Sequence, residues 1–140
     1  PFFEEGLATL RRVRTDLERE ASAQALELPD QYRQKLEQLL RDAQLQGQVP
    51  AERLLAEAGV LTERQDVREE LVRLEAHLAD FQERLDRGRL GGKGLDVWCQ
   101  EVLREINTTG SKCKRLSMTR LVMEAKQALE QIREQGANLE

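Results

Sequence analysis

Aromatic side chains are scarce in this sequence: three Phe, one Trp and one Tyr make up 4% of it. That scarcity removes the usual platform on which unpaired nucleic-acid bases stack. A single histidine, His77, excludes a multi-histidine metal cluster within one chain. Two cysteines, Cys99 and Cys113, are too few for the disulfide framework of a small secreted domain, so a reducing, cytoplasmic setting is expected. The longest apolar runs fall far short of the ~20 residues a membrane helix needs. No charged-then-apolar leader opens the chain, and a soluble protein without membrane association is expected. Pro1 rather than Met stands first, the expectation for a processed or truncated start with more chain upstream. Period-two runs of β-branched and aromatic residues are missing as well, which leaves strands little support.

What the sequence does contain is helix-forming. Of 140 residues, 39% are hydrophobic and 34% charged, dominated by Leu, Ala, Glu, Gln and Arg. The expectation is one all-α domain over 1–140, a bundle of about five or six amphipathic helices with a Gly-rich loop before the last long pair. A first helix runs from about Phe2 to Ala25 and breaks at Leu28-Pro29-Asp30. Tyr32, Leu36, Leu39, Leu40 and Ala43 give a second helix one apolar face, closed by Gly47 and Pro50. Pro50 opens a short helix with Leu54, Leu55 and Ala58 on its apolar edge and Gly59 as C-cap. From Thr62 or Asp66 to Arg87, the stripe Val67, Leu71, Leu74, Leu78, Phe81 and Leu85 marks the strongest helix.

Four glycines between Gly88 and Gly94 then read as a flexible connection. A phosphate-cradling loop would need a strand before it and a Lys-Ser or Lys-Thr pair, which are not there. The next helix starts near Leu95-Asp96 with Leu95, Cys99, Val102, Leu103 and Ile106 inward and Trp98 at the edge, and reads as ending around Gly110. Ser117 can cap a last helix running to about Gly136, with Met118, Leu121, Val122, Ala125, Leu129 and Ile132 inward.

Three polar constellations carry possible chemistry. Asp66, Glu70, Arg73 and His77 are spaced by four, three and four residues, which aligns them as a row on one helix face. His77, with an unperturbed pKa of ~6.5, is suited to proton transfer at neutral pH; a solvated face of ordinary ion pairs is the alternative. Glu101 and Glu105 lie one turn apart, as two ligands of a hard cation would, although Arg104 competes for them. The third is basic. Net charge is −4, which argues weakly against nucleic acid, yet no Asp or Glu occurs from Ile106 to Met123, where Lys112, Lys114, Arg115 and Arg120 fall. With Gln100, Asn107, Thr108 and Ser111 supplying neutral hydrogen bonds, that stretch suits sugar and phosphate oxygens, or else a basic helix end.

Taken in order, these blocks resemble the C-terminal part of the YicC/YloC family of bacterial endoribonucleases. The resemblance is carried by RQDVREELVRLEAHLADF (64–81), KGLDVWCQEVLREINTTGSK (93–112) and the closing EAKQALEQIREQGANLE, the last through Glu124, Lys126, Arg133, Glu134, Gln135, Asn138 and Glu140. The chain departs from the family pattern at Val97, where Phe is usual, at Arg115 and Ser117, near which acids are usual, and at Gly136 and Ala137, where larger residues are usual.

The resemblance implies RNA phosphodiester cleavage dependent on a divalent ion (Mn or Mg), assembly as a homo-oligomer, a hexamer, and an N-terminal β-containing domain outside this chain. On that reading His77, Glu70, Glu101 and Glu105 are the catalytic candidates, and Glu69, Glu70, Glu101 and Glu105 the metal candidates. RNA contact falls to Arg73, Gln100, Arg104, Asn107, Thr108, Ser111, Lys112, Lys114 and Arg115. An RNA-clamping adaptor and an oligomerisation module are the alternatives.

Overall fold

The computed structural model describes residues 2–88 and 92–138. Among them every regular element is an α-helix: α1 Phe2–Asp42, α2 Ala51–Glu63, α3 Arg68–Asp86, α4 Gly92–Ser111 and α5 Leu116–Asn138. The class is all-α, as the composition requires. No described helix is long and apolar enough to cross a membrane. Residues 89–91 of the expected glycine-rich connection, and Glu140 of the closing block, lie outside the described residues.

Two compact units divide the chain, Pro1–Glu20 with Val67–Glu140, and Ala21–Asp66. In the first, α4 packs against both α3 and α5. The stripes behave as amphipathic helices must: Val67, Leu71, Leu74, Leu78 and Phe81 are buried, as are Leu95, Cys99, Val102 and Ile106, and Met118, Val122, Ala125, Leu129 and Ile132. The start of α1 joins them through Phe3, Leu7, Leu10, Val13 and Leu17, again at three- and four-residue spacing. Phe81 lies at the centre, 5.8 Å from the Phe3 ring in an edge arrangement and 4.3 Å from the Trp98 ring. Trp98, expected at the edge, is buried. Leu103 is exposed instead, because it sits toward the open side of α4.

Several boundaries differ from the sequence reading, each for a local reason. Pro29 does not break the first helix but lies inside α1. It lacks one backbone donor, yet good helix formers flank it on both sides, and Leu28 stays buried four residues after buried Gln24. Gly59 does not end α2, which continues to Glu63, with the Thr62 hydroxyl donating to the Ala58 carbonyl 2.8 Å away. α3 starts at Arg68 with Val67 as N-cap, later than Thr62 or Asp66.

α4 starts at Gly92, not Leu95, and runs through Gly110, because the glycine there serves close packing rather than termination. A Cβ on Gly110 would stand 3.1 Å from Val122 Cγ1 on α5. Likewise a Cβ on Gly136 would collide with Leu95, so the small residue in the tail is required by α4 packing against α5. α5 extends to Asn138. Ser117 is not its cap; its hydroxyl donates to Glu20, 2.9 Å away.

In the second unit, α1 from residue 21 onward and α2 are joined by the turn 43–50. α1 ends in a Schellman arrangement: Leu45 N–H donates to Leu40 O at 2.8 Å and Gln44 N–H to Arg41 O at 3.0 Å, with Gln44 left-handed at φ 59°. The expected terminator Gly47 lies further along the turn at φ 74°. The apolar face expected on 32–43 is not buried. Leu39 and Ala43 are exposed and Tyr32, Leu36 and Leu40 only half-buried, since this hairpin has just one facing helix to pack on. Leu55 is exposed too, while Ala58 is buried.

Candidate functional site

Of the expected polar row, Arg73 and His77 on α3 meet the carboxylate face of α4, Glu70 is buried, and Asp66 precedes α3 and so does not share its face. Arg73, Ala76 and His77 from α3 and Glu101, Arg104, Glu105 and Thr108 from α4 line an open groove of about 600 Å³ within the first unit. The helices reach this register because Val67, Leu71, Leu74 and Leu78 on one side, and Val102 and Ile106 on the other, are pinned in the core. That leaves the intervening positions at the groove mouth. Trp98 fixes the far end: its indole N–H donates to the His77 backbone carbonyl at 2.8 Å. The sequence signal for this contact is slight, a buried tryptophan N–H that needs an acceptor.

A chain of charges runs from the groove residues Arg73 and Glu105 to Glu70 and Lys112. Arg73 Nε donates to Glu105 Oε1 at 2.9 Å, and its terminal nitrogens lie 3.8 Å from Glu70 and 3.6 Å from Glu69. Donating that hydrogen bond to Glu105 holds the Arg73 guanidinium above its ordinary pKa. Lys112 Nζ donates to Glu70 Oε1 at 2.7 Å, while Glu70 Oε2 is buried with no hydrogen-bond partner. Glu70 and Glu105 are both buried, which replaces the expected solvated face with a structural ion-pair chain.

The remaining candidates are placed elsewhere. Gln100 faces a separate cavity of about 260 Å³ with Cys99, Lys126 and Arg133. Asn107, Ser111 and Lys114 are exposed, and the Ser111 hydroxyl donates to Thr108 O at 2.8 Å. Arg115 donates to Glu20 at 3.0 Å, and that bond, joined by the one from Ser117, holds the Glu20 carboxyl below its ordinary value of 4.5. The two departures at 115 and 117 therefore share one acid on α1. Glu69 is exposed.

A divalent ion does not fit these carboxylates. Among the described residues no three His, Cys, Asp or Glu converge as metal ligands. Glu70 and Glu105, the two buried candidates, already answer Lys112 and Arg73.

Burial disfavours the thiolate of both cysteines. Burial, reinforced by Asp96, pushes the Cys99 thiol up to about 11, and burial also raises Cys113, whose Sγ donates to Thr109 O at 3.1 Å. At pH 7.5 iodoacetamide is expected to label half-buried Cys113 first and to reach Cys99 only on unfolding; equal labelling of the native chain, read by peptide mass, would contradict this placement.

The sequence model of the family described as Endoribonuclease YicC-like, C-terminal, matches residues 21–140. The chain belongs to that family. Two relatives bear the name Probable endoribonuclease YicC. The one from Clostridioides difficile (strain 630) is 34% identical over 115 residues, covering 79% of this chain and 38% of the relative. The one from Haemophilus influenzae (strain ATCC 51907 / DSM 11121 / KW20 / Rd) is 40% identical over 108 residues, covering 77% and 37%. The chain thus spans less than two fifths of the length of these YicC relatives. Every groove residue falls inside the YicC-like match, whereas Glu20 precedes it.

Proposed function

We propose that this YicC-like chain presents RNA to phosphodiester cleavage by the full-length protein, and that the α3–α4 groove is where the RNA backbone lies. The observation that carries the reading is the convergence of Arg104, Arg73, His77, Glu101 and Thr108 from two helices on one open groove. Cation, imidazole, carboxylate and hydroxyl are the groups that can hold a phosphodiester and move a proton to or from its ribose 2′-hydroxyl. On this reading His77 is the proton-transfer residue and Arg104 contacts phosphate.

The family resemblance implies Mn²⁺ or Mg²⁺, which as a Lewis acid polarises the phosphoryl oxygen. Since Glu70 and Glu105 are committed to Lys112 and Arg73, ligands for such an ion would come from outside the described residues or from another copy. Assembly as a homo-oligomer, hexameric by the same resemblance, and a cytoplasmic setting complete the proposal. The committed carboxylates equally favour a second reading, a clamp that binds RNA for cutting by a partner nuclease.

The test uses nuclease-free full-length protein with labelled RNA in Mn²⁺ or Mg²⁺. His77→Ala and Glu101→Gln are each expected to slow cleavage by about 10²-fold. Parental rates in both variants would remove the groove from the chemistry. Salt-dependent RNA binding by the parent without any cut ends would replace the nuclease reading with the clamp.

A further inference from the structure

The cations around the groove are not equivalent. Arg73 answers Glu105, Glu70 and Glu69; Lys112 answers Glu70; Arg115 answers Glu20. Arg104 is different: among the described residues it has no hydrogen-bond or ion-pair partner, although it lines the groove and is exposed. Glu101, three residues earlier on the same helix and half-buried in the same groove, is equally unpartnered. An arginine and a glutamate one turn apart would ordinarily pair. These two instead present opposite charges to one cavity.

An unneutralised carboxylate beside a phosphate path repels the ligand unless the ligand brings a donor to it. An ionised carboxylate can only accept hydrogen bonds. The ribose 2′-hydroxyl is a donor that lies next to every phosphate of RNA and is missing from DNA.

We infer that Arg104 and Glu101 together grip a single ribonucleotide, Arg104 taking the phosphate and Glu101 accepting from the 2′-hydroxyl, so that Glu101 sets the preference for RNA over DNA. The inference rests on the groove being RNA-facing. It makes Arg73 and Lys112 positioning residues, held by buried carboxylates rather than by the ligand.

The test is fluorescence anisotropy of the full-length protein with one sequence as RNA, DNA and 2′-O-methyl RNA across a salt series, with oligonucleotide intactness checked on a gel. The parent is expected to prefer RNA over both analogues. Glu101→Leu is expected to shrink that preference about tenfold while leaving DNA affinity unchanged or higher, a hydrogen bond to a charged acceptor being of that order. Glu101→Gln, which keeps a neutral acceptor, is expected to retain part of the preference. Arg104→Met is expected to lower the slope of log affinity against log salt by about 0.7, one single-strand phosphate. The paired change Glu70→Leu with Lys112→Met, which removes both charges, is expected to leave the slope alone.

An RNA preference untouched in Glu101→Leu overturns the assignment, as does a slope that falls in the paired variant but not in Arg104→Met. A parent that binds no RNA overturns the groove reading itself. A parent that binds RNA with a Glu101-independent preference overturns only this inference.

Discussion

Phe81→Ala is expected to destabilise the protein by about 3–5 kcal/mol, the range for removing a buried aromatic ring. The side chain is fully buried and is the largest of the fully buried set. It has the Phe3 ring at its edge and the Trp98 ring 4.3 Å away, so truncation opens a void between α1, α3 and α4. Neither neighbour can collapse into that void freely. Phe3 is fixed by its helix, and Trp98 by the hydrogen bond from its indole N–H to the His77 carbonyl. The loss should appear in the midpoint of denaturant unfolding with the slope unchanged. Because Trp98 also holds the His77 backbone, the same variant is expected to weaken the groove at temperatures where it remains folded. A cost under about 1 kcal/mol would mean that this aromatic cluster is not the centre of the core.

Lys112→Met carries the second large effect. It leaves Glu70, whose side chain is 5% exposed, with Arg73 at 3.8 Å as its nearest cation and one oxygen already unpartnered. Stranding a buried charge in this way costs about 3–5 kcal/mol. The reciprocal change, Glu70→Leu, is expected to cost less. Lys112 is 27% exposed and can turn its ammonium toward water. The paired variant, with both charges gone, should recover most of the loss, since an apolar pair of similar volume often matches a buried ion pair. Unfolding measurements on the four proteins of this cycle decide the matter, and a Lys112→Met cost no larger than that of Glu70→Leu would contradict the burial asymmetry.

Much of this was legible in the chain. Period-3.6 stripes such as Val67-Leu71-Leu74-Leu78-Phe81 identify core faces because each helix must bury its apolar side. The ordered polar blocks fall on α3 and α4, whose residues line the candidate groove. Boundaries were less legible where one residue type serves two purposes. Gly110 and Gly136 read as stops but are small so that α4 and α5 can approach, a requirement set by residues on the other helix. Pro29 reads as a break, yet the propensity of its neighbours and the burial of Leu28 keep α1 continuous. The face of Leu36, Leu39 and Leu40 reads as core, but the helices of the second unit leave it only partly covered.

By itself the sequence determined the helical class, the inward stripes and the residue types available for chemistry, because these follow from local propensity and spacing. Tertiary structure alone decided which charges are spent. Arg73, Arg104, Lys112 and Arg115 look alike in the sequence, and Glu70, Glu101 and Glu105 look alike too. Partners 32 to 95 residues away neutralise Arg73, Lys112 and Arg115, while Arg104 and Glu101 are left to face the groove. The physical reason is that Coulomb attraction and burial depend on distance in space, which spacing along a helix does not encode beyond one turn.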